Sequence, residues 1–384
     1  MSTARSFGTS GVPLRIDEGM LDLRVTSTRV DELRFLMAPP LGLAGRTVTT
    51  REYVVFQVTL ETGGTGTAYV LTRGQPIGAA AEALAQQILG SRLADLFSCE
   101  ERNRGKSADQ RARAVLDICA WDLTGTLQEV PTWRLLGVAR ANQPALLVAG
   151  YRRHGETDQE MARRLASWRD AGYRSIKIAA DPHIGTTTAL LAEVRRTVPA
   201  EELTLIVDLG FAGSDVSQVV DAAQAWAPFG ITWVEDPVEV GAAAQIAAIR
   251  TGAPLPIAAG DEADADELLS LLDHRSVDVL RADATTVGGL TGLGDIVARA
   301  DVPVSLHVYP ECHRHTALVM PTDSPIETFP PGDDFDFVDR FIKVEDATLV
   351  DGRFLPPTVP GLGLRYQPEA VLHNVIRSTT FHSA

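Results

Sequence analysis

From Pro144 onward the chain is a series of short apolar runs set between stretches of helical periodicity. The runs are Leu146–Tyr151, Tyr173–Ala179, Leu203–Asp208, Ile231–Glu235, Ile257–Gly260, Val277–Asp283, Val302–His307 and Ile326–Phe329. Their length suits buried strands, and the stretches between them, such as Asp158–Ala171 and Val216–Trp226, repeat apolar residues at three- and four-residue steps. Strands alternating with helices imply a parallel sheet, and eight of them imply a closed barrel. No helical pattern follows the eighth run, where Pro330, Pro331 and Gly332 read as loop. The expected class is therefore α/β, with eight strands and seven intervening helices.

Several of these runs end on a polar residue. Asp208, Glu235 and Asp261 are 27 and 26 residues apart, and Asp283 and His307 follow after 22 and 24. Such gaps match one strand-helix-strand unit. In a parallel barrel the strand ends converge on one face, where active sites lie. Three carboxylates meeting there suit a hard divalent cation bound through oxygen. Acids at strand ends can instead cap the following helix, and Asp236 and Glu262 adjoin the expected ligands as alternatives.

The first half reads differently. Residues 1–20 show no period and look like an extension. Residues 21–72 read as strands, with Tyr53–Leu60 rich in β-branched and aromatic residues and a turn at Gly63–Gly66. Residues 78–137 read as helices. The expected division is an α+β domain over 1–143, a barrel over 144–345, and a tail over 346–384 that packs back on the first domain.

Composition narrows the function classes. The 384 residues suffice for a barrel and a smaller domain, and 45% hydrophobic residues with a mean hydropathy of +0.02 fit a globular protein. A net charge of -15 argues against a nucleic-acid partner, because phosphate contact needs a basic face. No apolar stretch approaches the roughly 20 residues that span a bilayer, and the first residues lack a signal-peptide core. A cytoplasmic location is the default expectation, with no membrane partner. Cys99, Cys119 and Cys312 are too few and too scattered for a disulfide framework or a zinc site. Lys106, Lys177 and Lys343 are the sole lysines, so a lysine on a barrel strand draws notice.

The motifs resemble the enolase superfamily, and within it the mandelate racemase subgroup. Ala114–Gly125 followed by Pro131–Gly137 is similar to the helix and turn of that family's capping domain. Gly172–Lys177 resembles its second-strand motif, Trp233–Pro237 its fourth-strand metal motif, and Asp283–Gly289 with His307 its His/Asp dyad. Glu327 falls where the subgroup has an acid facing the substrate carboxylate. The resemblance implies a modified TIM barrel, (β/α)7β, capped by an α+β domain formed by the N-terminal region and the C-terminal tail. It implies one Mg2+ ion on Asp208, Glu235 and Asp261, a small-molecule carboxylate substrate, proton abstraction next to that carboxylate, and a homo-oligomer. Enolase-type sites pair a Lys or His base with magnesium.

On this resemblance His307 is the acid/base and Asp283 orients its ring, with His313 and His315 as nearby rivals. Lys177 lies near the substrate carboxylate. The family usually carries a second lysine two residues later as the base on the opposite face. Here that position is Ala179, and Gly210 stands where some acid-sugar dehydratases carry a further histidine. With one base, syn elimination of water from a sugar acid is favoured over racemisation, epimerisation or cycloisomerisation, and a non-catalytic ligand-binding barrel is the remaining alternative. A second base at His183, Tyr309 or the capping loops would change that order. Loops near Pro39–Arg46 and Thr62–Gly66 are expected over the barrel mouth. Glu262, Tyr309, Arg46, Arg281 and Arg314 are the candidates for supporting or substrate contacts.

Overall fold

The computed structural model describes residues 15–43, 46–97, 105–137, 140–181, 183–332 and 335–383. A short helix, α1 (Glu18–Leu21), stands where no element was expected. It starts on Asp17, whose carboxylate accepts the Gly19 N–H at 2.8 Å. An antiparallel meander of β1 (Val25–Leu43), β2 (Arg46–Leu60) and β3 (Thr65–Leu71) follows. α2 (Ile77–Gln87) and α3 (Ala108–Leu127) pack on this sheet. α3 begins at a reciprocal cap between Ser107 and Gln110. α4 (Thr132–Leu136) leads into the second unit.

The second unit alternates strand and helix: β4 (Gln143–Gly150), α5 (Asp158–Asp170), β5 (Ser175–Ala179), α6 (Ile184–Thr197), β6 (Thr204–Asp208), α7 (Val216–Trp226), β7 (Ile231–Glu235) and α8 (Ala243–Gly252). It continues through β8 (Ile257–Ala259), α9 (Ala265–Asp273), β9 (Val279–Ala282), α10 (Gly289–Arg299), β10 (Val304–Leu306), α11 (Pro310–Val319) and β11 (Ile326–Thr328). Neighbouring strands are parallel, and β11 returns to β4 through Ile326 opposite Ala145, closing the barrel. Eight strands and seven helices make the (β/α)7β barrel that the apolar runs led us to expect.

The chain then turns back. β12 (Ile342–Val344) precedes a hairpin of β13 (Leu349–Val350) and β14 (Arg353–Phe354), which pairs with the start of β4. β15 (Leu364–Tyr366) pairs with β12, and β16 (Val375–His382) joins the meander beside β1, with Phe381 opposite Thr28. The capping unit is thus built from both ends of the chain. Asp122 on α3 fastens it: one carboxylate oxygen accepts the Thr67 N–H at 2.8 Å and the other the Leu362 N–H at 2.7 Å. Gly361 beside it has φ +67°, and a Cβ there would lie 2.4 Å from the Asp122 carboxylate, so both conformation and space require glycine.

Inside the barrel, Leu146, Ile206, Trp233 and Ala258 from four strands form a compact apolar plug. Side chains alternate along a strand, so the inward residues two positions further on, including Asp208 after Ile206 and Glu235 after Trp233, reach the C-terminal mouth above that plug. Among the described residues no helix is long and apolar enough to cross a membrane.

Candidate active site

The strand-end acids do not cap helices. The N-cap of α7 is Asp215, that of α8 is Ala242 and that of α9 is Asp264. Asp208, Glu235 and Asp261 instead point into the mouth of the barrel, all buried. Their oxygens belong to two sets that share Glu235. Asp208 and Asp236 accompany it in one, Asp261 and Glu327 in the other, with the offered oxygens of each set within 4.8 Å of one another. Asp236 therefore stands as near as the acids singled out from spacing. It has φ +41° and accepts the Gly260 N–H at 2.9 Å.

Lys177 occupies the centre of this cluster. Its Nζ lies 2.8 Å from Glu235 Oε1, 3.3 Å from Asp208 Oδ2 and 3.9 Å from Asp261 Oδ2, and it donates to Glu327 Oε1. Burial alone would favour its neutral form, but Glu235, Glu327, Asp208 and Asp261 outweigh that and push its pKa well up. The lysine is a fixed cation. Arg281 supplies the second fixed charge: Nε donates to Asp261 at 3.0 Å, Nη1 to Ser305 Oγ at 2.7 Å, and Nη2 to Glu327. Arg281 was expected to make supporting or substrate contacts, and it takes the supporting place. It lies beneath the cluster with its donors committed and does not line the cavity.

Five buried carboxyls (Asp208, Glu235, Asp236, Asp261 and Glu327) thus face two fixed cations. The imbalance shows in their protonation. Burial pushes Glu235 up to about 7 despite Arg281 and Lys177, and pushes Asp236 well up. Asp261 and Glu327 are held below the usual carboxylate range, because Arg281, His307 and Lys177 outweigh the cost of burial. Glu327 also accepts the Val308 N–H at 2.8 Å. It is an ionised acceptor here, not a proton donor. An all-oxygen donor set with unbalanced negative charge fits a hard divalent cation.

His307 stands on the neighbouring wall. Its Nδ1 lies 3.6 Å from Asp283 Oδ2 and 3.7 Å from Glu262 Oε1, and its Nε2 lies 3.5 Å from Asp261 Oδ2. Burial lowers its pKa, but Asp261, Asp283 and Glu327 outweigh it, so the net shift is upward. Asp283 is anchored by the Thr285 N–H at 2.7 Å and the Thr285 hydroxyl at 2.8 Å, and its pKa falls to about 2, burial being overcome by His307 and Arg111. The rivals are structural. His313 accepts the Ala284 N–H on Nε2 at 3.2 Å and donates from Nδ1 to the Val308 carbonyl at 2.7 Å, bracketing the residues after Asp283 and His307. Burial pushes its pKa down to about 4. His315 Nδ1 accepts the Trp133 N–H at 3.3 Å. Val308 and Tyr309 both adopt left-handed φ, +55° and +46°, a strained turn directly after His307.

The cap side of the site was largely missed from sequence. Glu262, with φ +61°, is clamped by two arginines of the cap: Arg73 at 2.7 Å and Arg111, which donates to its other oxygen. It ties cap to barrel. Arg51 and Tyr53 of β2 and Tyr69 and Leu71 of β3 line the cavity with Arg73, and Tyr53 is registered opposite Leu71. The alternation of residues 51, 53, 69, 71 and 73 was the available signal. The expected turn at Thr62–Gly66 does not line the cavity. Gly66 packs on α3 so closely that a Cβ would lie 2.5 Å from the Cys119 carbonyl. Arg46 begins β2, and its side chain lies outside the described residues, as do most side chains of Pro39–Arg46. Arg314 donates to the carbonyls of Asp346, Glu345 and Leu362, away from the cavity. Tyr309 lines the cavity, and its hydroxyl oxygen accepts the Leu71 N–H at 3.2 Å. Cys119 and Cys312 are buried free thiols, and Cys99 lies outside the described residues.

Ala179, at the end of β5, does not line the cavity, and Gly210, which does, has no side chain to titrate. His183 is exposed at the start of α6 and does not line the cavity. Tyr151, also on the cavity, has its pKa pushed up by burial and by Asp208. His307 is the one histidine among the described lining residues, and an imidazole ordinarily titrates near neutral pH.

Residues 24–137 match the family model for the mandelate racemase / muconate lactonizing enzyme N-terminal domain, and residues 160–370 match the enolase C-terminal domain-like model. The D-galactarolactone cycloisomerase of Agrobacterium fabrum is 22% identical over 372 residues, covering 91% of this chain and 98% of that protein. The L-talarate/galactarate dehydratase of Salmonella typhimurium is 24% identical over 314 residues, covering 77% of this chain and 75% of that protein. A crystal structure of L-talarate dehydratase from Polaromonas sp. JS666, complexed with Mg and L-glucarate, superposes with a TM-score of 0.83 at 22% identity, covering 94% of this chain and 100% of that one. That likeness speaks to the fold.

Proposed function

The chain belongs to the mandelate racemase / muconate lactonizing enzyme family of the enolase superfamily, and from that premise we propose that it is a magnesium-dependent enzyme that removes the proton next to a carboxylate. The most specific form of the reading is syn dehydration of a sugar acid to a 2-keto-3-deoxy acid. The observation that carries it is His307, the one histidine among the described lining residues, standing 3.5 Å from Asp261 of the carboxylate cluster, with no lysine at position 179 and no histidine at 210. Relatives named as sugar-acid dehydratases and a cycloisomerase support the same class of chemistry.

Asp208, Glu235 and Asp261, with Asp236 as an alternative, would hold the Mg2+ ion. When bound, the ion offsets the second negative charge that develops on the substrate carboxylate. The residues of the chain do the rest. Lys177 presents its ammonium to that carboxylate. Asp283 keeps the proton on His307 Nδ1, which leaves Nε2 to act. His307 Nε2 takes the α-proton, and the C–H electron pair enters the enediolate. The same nitrogen then gives its proton to the β-hydroxyl on that side, the C–O bond breaks, and water leaves. The resulting enol tautomerises to the keto acid, and His307 is neutral again. The cap excludes bulk water while the enediolate exists.

Racemisation would need a proton returned on the other face, where these residues offer no donor. Cycloisomerisation of a lactone keeps the single base and differs in the leaving oxygen, so it stands as the second reading, supported by the relative that covers nearly the whole chain. The test is a screen of mono- and diacid sugars and their lactones with Mg2+, scored for 2-keto-3-deoxy product and for isomerised lactone. Dehydration is expected, and it should vanish in His307→Asn. Lactone isomerisation without water loss would select the second reading. Absence of any α-proton exchange across the panel, with Mg2+ bound, would favour a non-catalytic barrel.

A further inference from the structure

The cavity extends past the acid cluster, and its far end is built from other materials. Arg51 enters it from β2 of the cap. Its guanidinium lies 4.9 Å over the ring of Phe335, which stacks on Tyr151 at 4.7 Å and on Phe329 at 5.5 Å between centroids. The Phe335 ring under the guanidinium is itself held by two others. The other arginine of the lining, Arg73, has Glu262 as its ion-pair partner. Arg51 has no such partner among the described residues, and its buried Nε makes no hydrogen bond. The Asp336 charge acts on Arg51, but its carboxylate makes no ion pair with the guanidinium among the described residues and accepts the Tyr53 hydroxyl at 2.8 Å.

A half-buried guanidinium with an unpaired Nε favours an anionic partner. Its planar fork matches a carboxylate in two parallel hydrogen bonds, a geometry an ammonium cannot reproduce. Of the aromatic hydroxyls on the cavity, those of Tyr53, Tyr69 and Tyr309 each make a hydrogen bond within the protein. Tyr53 donates to Asp336 and accepts the Phe337 N–H at 3.2 Å, Tyr69 donates to Glu311, and Tyr309 accepts the Leu71 N–H. The far end therefore presents ring faces, the Tyr151 hydroxyl and a guanidinium with an unpaired Nε.

We propose that Arg51 binds a second carboxylate at the far end of the substrate, so that the site selects dicarboxylic acids over monocarboxylic acids of the same length. The inference rests on the α-carboxylate chemistry proposed above, which fixes the first carboxylate at the Lys177 end. Arg51 touches no reacting atom and acts on specificity.

The test measures kcat/KM on matched aldaric and aldonic acids with the Mg2+-loaded full chain, for wild type, Arg51→Gln and Arg51→Lys. Wild type is expected to prefer the diacid by about 30-fold or more, as one buried charge-assisted contact would give. That ratio should fall towards one in Arg51→Gln through a higher KM for the diacid, and recover in part in Arg51→Lys. A ratio near one in wild type, or a ratio unchanged by Arg51→Gln, overturns the proposal. A phosphorylated aldonate used better than the aldarate would overturn it in favour of a phosphate site. Calorimetry with glutarate and butyrate separates the two levels. Glutarate binding that is lost in Arg51→Gln, in a protein that turns over no sugar acid, upholds the subsite while the dehydration reading fails.

Discussion

The ammonium of Lys177 lies 2.8 Å from Glu235 Oε1, with both groups buried. The pair sits at the centre of a site whose negative charge exceeds its positive charge. Replacing the lysine by an isosteric neutral residue, Lys177→Met, leaves the carboxylates facing one another. Breaking a buried pair costs about 3–5 kcal/mol. Denaturant unfolding should show a loss of that order in the presence of a chelator. Mg2+ should recover more stability in the variant than in wild type, because the ion then replaces a missing counter-charge. Chelation of the wild type should abolish turnover reversibly.

The dyad can be tested through its support. General acid–base catalysis contributes about 10^2- to 10^4-fold, so His307→Asn should lower kcat by roughly a thousandfold while calorimetry still shows Mg2+ binding. His313 joins the residue after Asp283 to the residue after His307 through its two ring nitrogens. His313→Phe removes both links and should lower kcat by about tenfold with little change in KM. An equal loss in both parameters would mark it as merely structural.

Glu262 anchors the cap to the barrel through Arg73 and Arg111. Glu262→Ala leaves Arg111, 2% exposed, without its carboxylate. The expected cost is about 2 kcal/mol, reduced from the fully buried case because Glu262 is 22% exposed. KM should rise as the cap loosens, and limited proteolysis should cut the cap sooner.

Stability should also depend on pH through the cap. Burial pushes the Asp122 carboxyl up to about 7, against the two N–H groups that favour its ionised form. In the unfolded chain it titrates near 4, at about 3.9. Between these values the folded state holds the proton and the unfolded state does not. The stability from this group is therefore complete below about pH 4 and is lost as pH rises to about 7. Urea unfolding from pH 5 to pH 8 should show wild type losing more stability than Asp122→Asn, which has no proton to release. Parallel curves for the two proteins would contradict this.

Much of the barrel was legible in the sequence because each strand is a compact apolar run bounded by turn residues. Val216–Trp226 and Ile231–Glu235 appear in the structure with the limits read from the pattern. The convergence of Asp208, Glu235, Asp261 and His307 was legible for the same reason, since register along a parallel strand fixes depth, whereas Lys177 was placed there by the family resemblance of its strand. The cap contacts were not. Arg51, Arg73 and Arg111 look like any surface arginines in a chain with 35 Lys and Arg residues, and only the docking of two units shows that Arg73 and Arg111 converge on Glu262. Asp236 was ambiguous for a different reason. Its left-handed backbone turns its side chain toward the same cluster as its neighbour Glu235, which simple alternation does not anticipate.

The central claim is that one histidine serves one face of the substrate. It is tested most directly by turnover of a sugar acid in D2O with Mg2+, followed by NMR analysis of both product and recovered substrate. The account predicts a 2-keto-3-deoxy product and recovered substrate of unchanged configuration at the α-carbon, with no exchange in His307→Asn. Recovered substrate carrying deuterium at an inverted α-carbon would contradict it, because inversion requires a second base on the face away from His307.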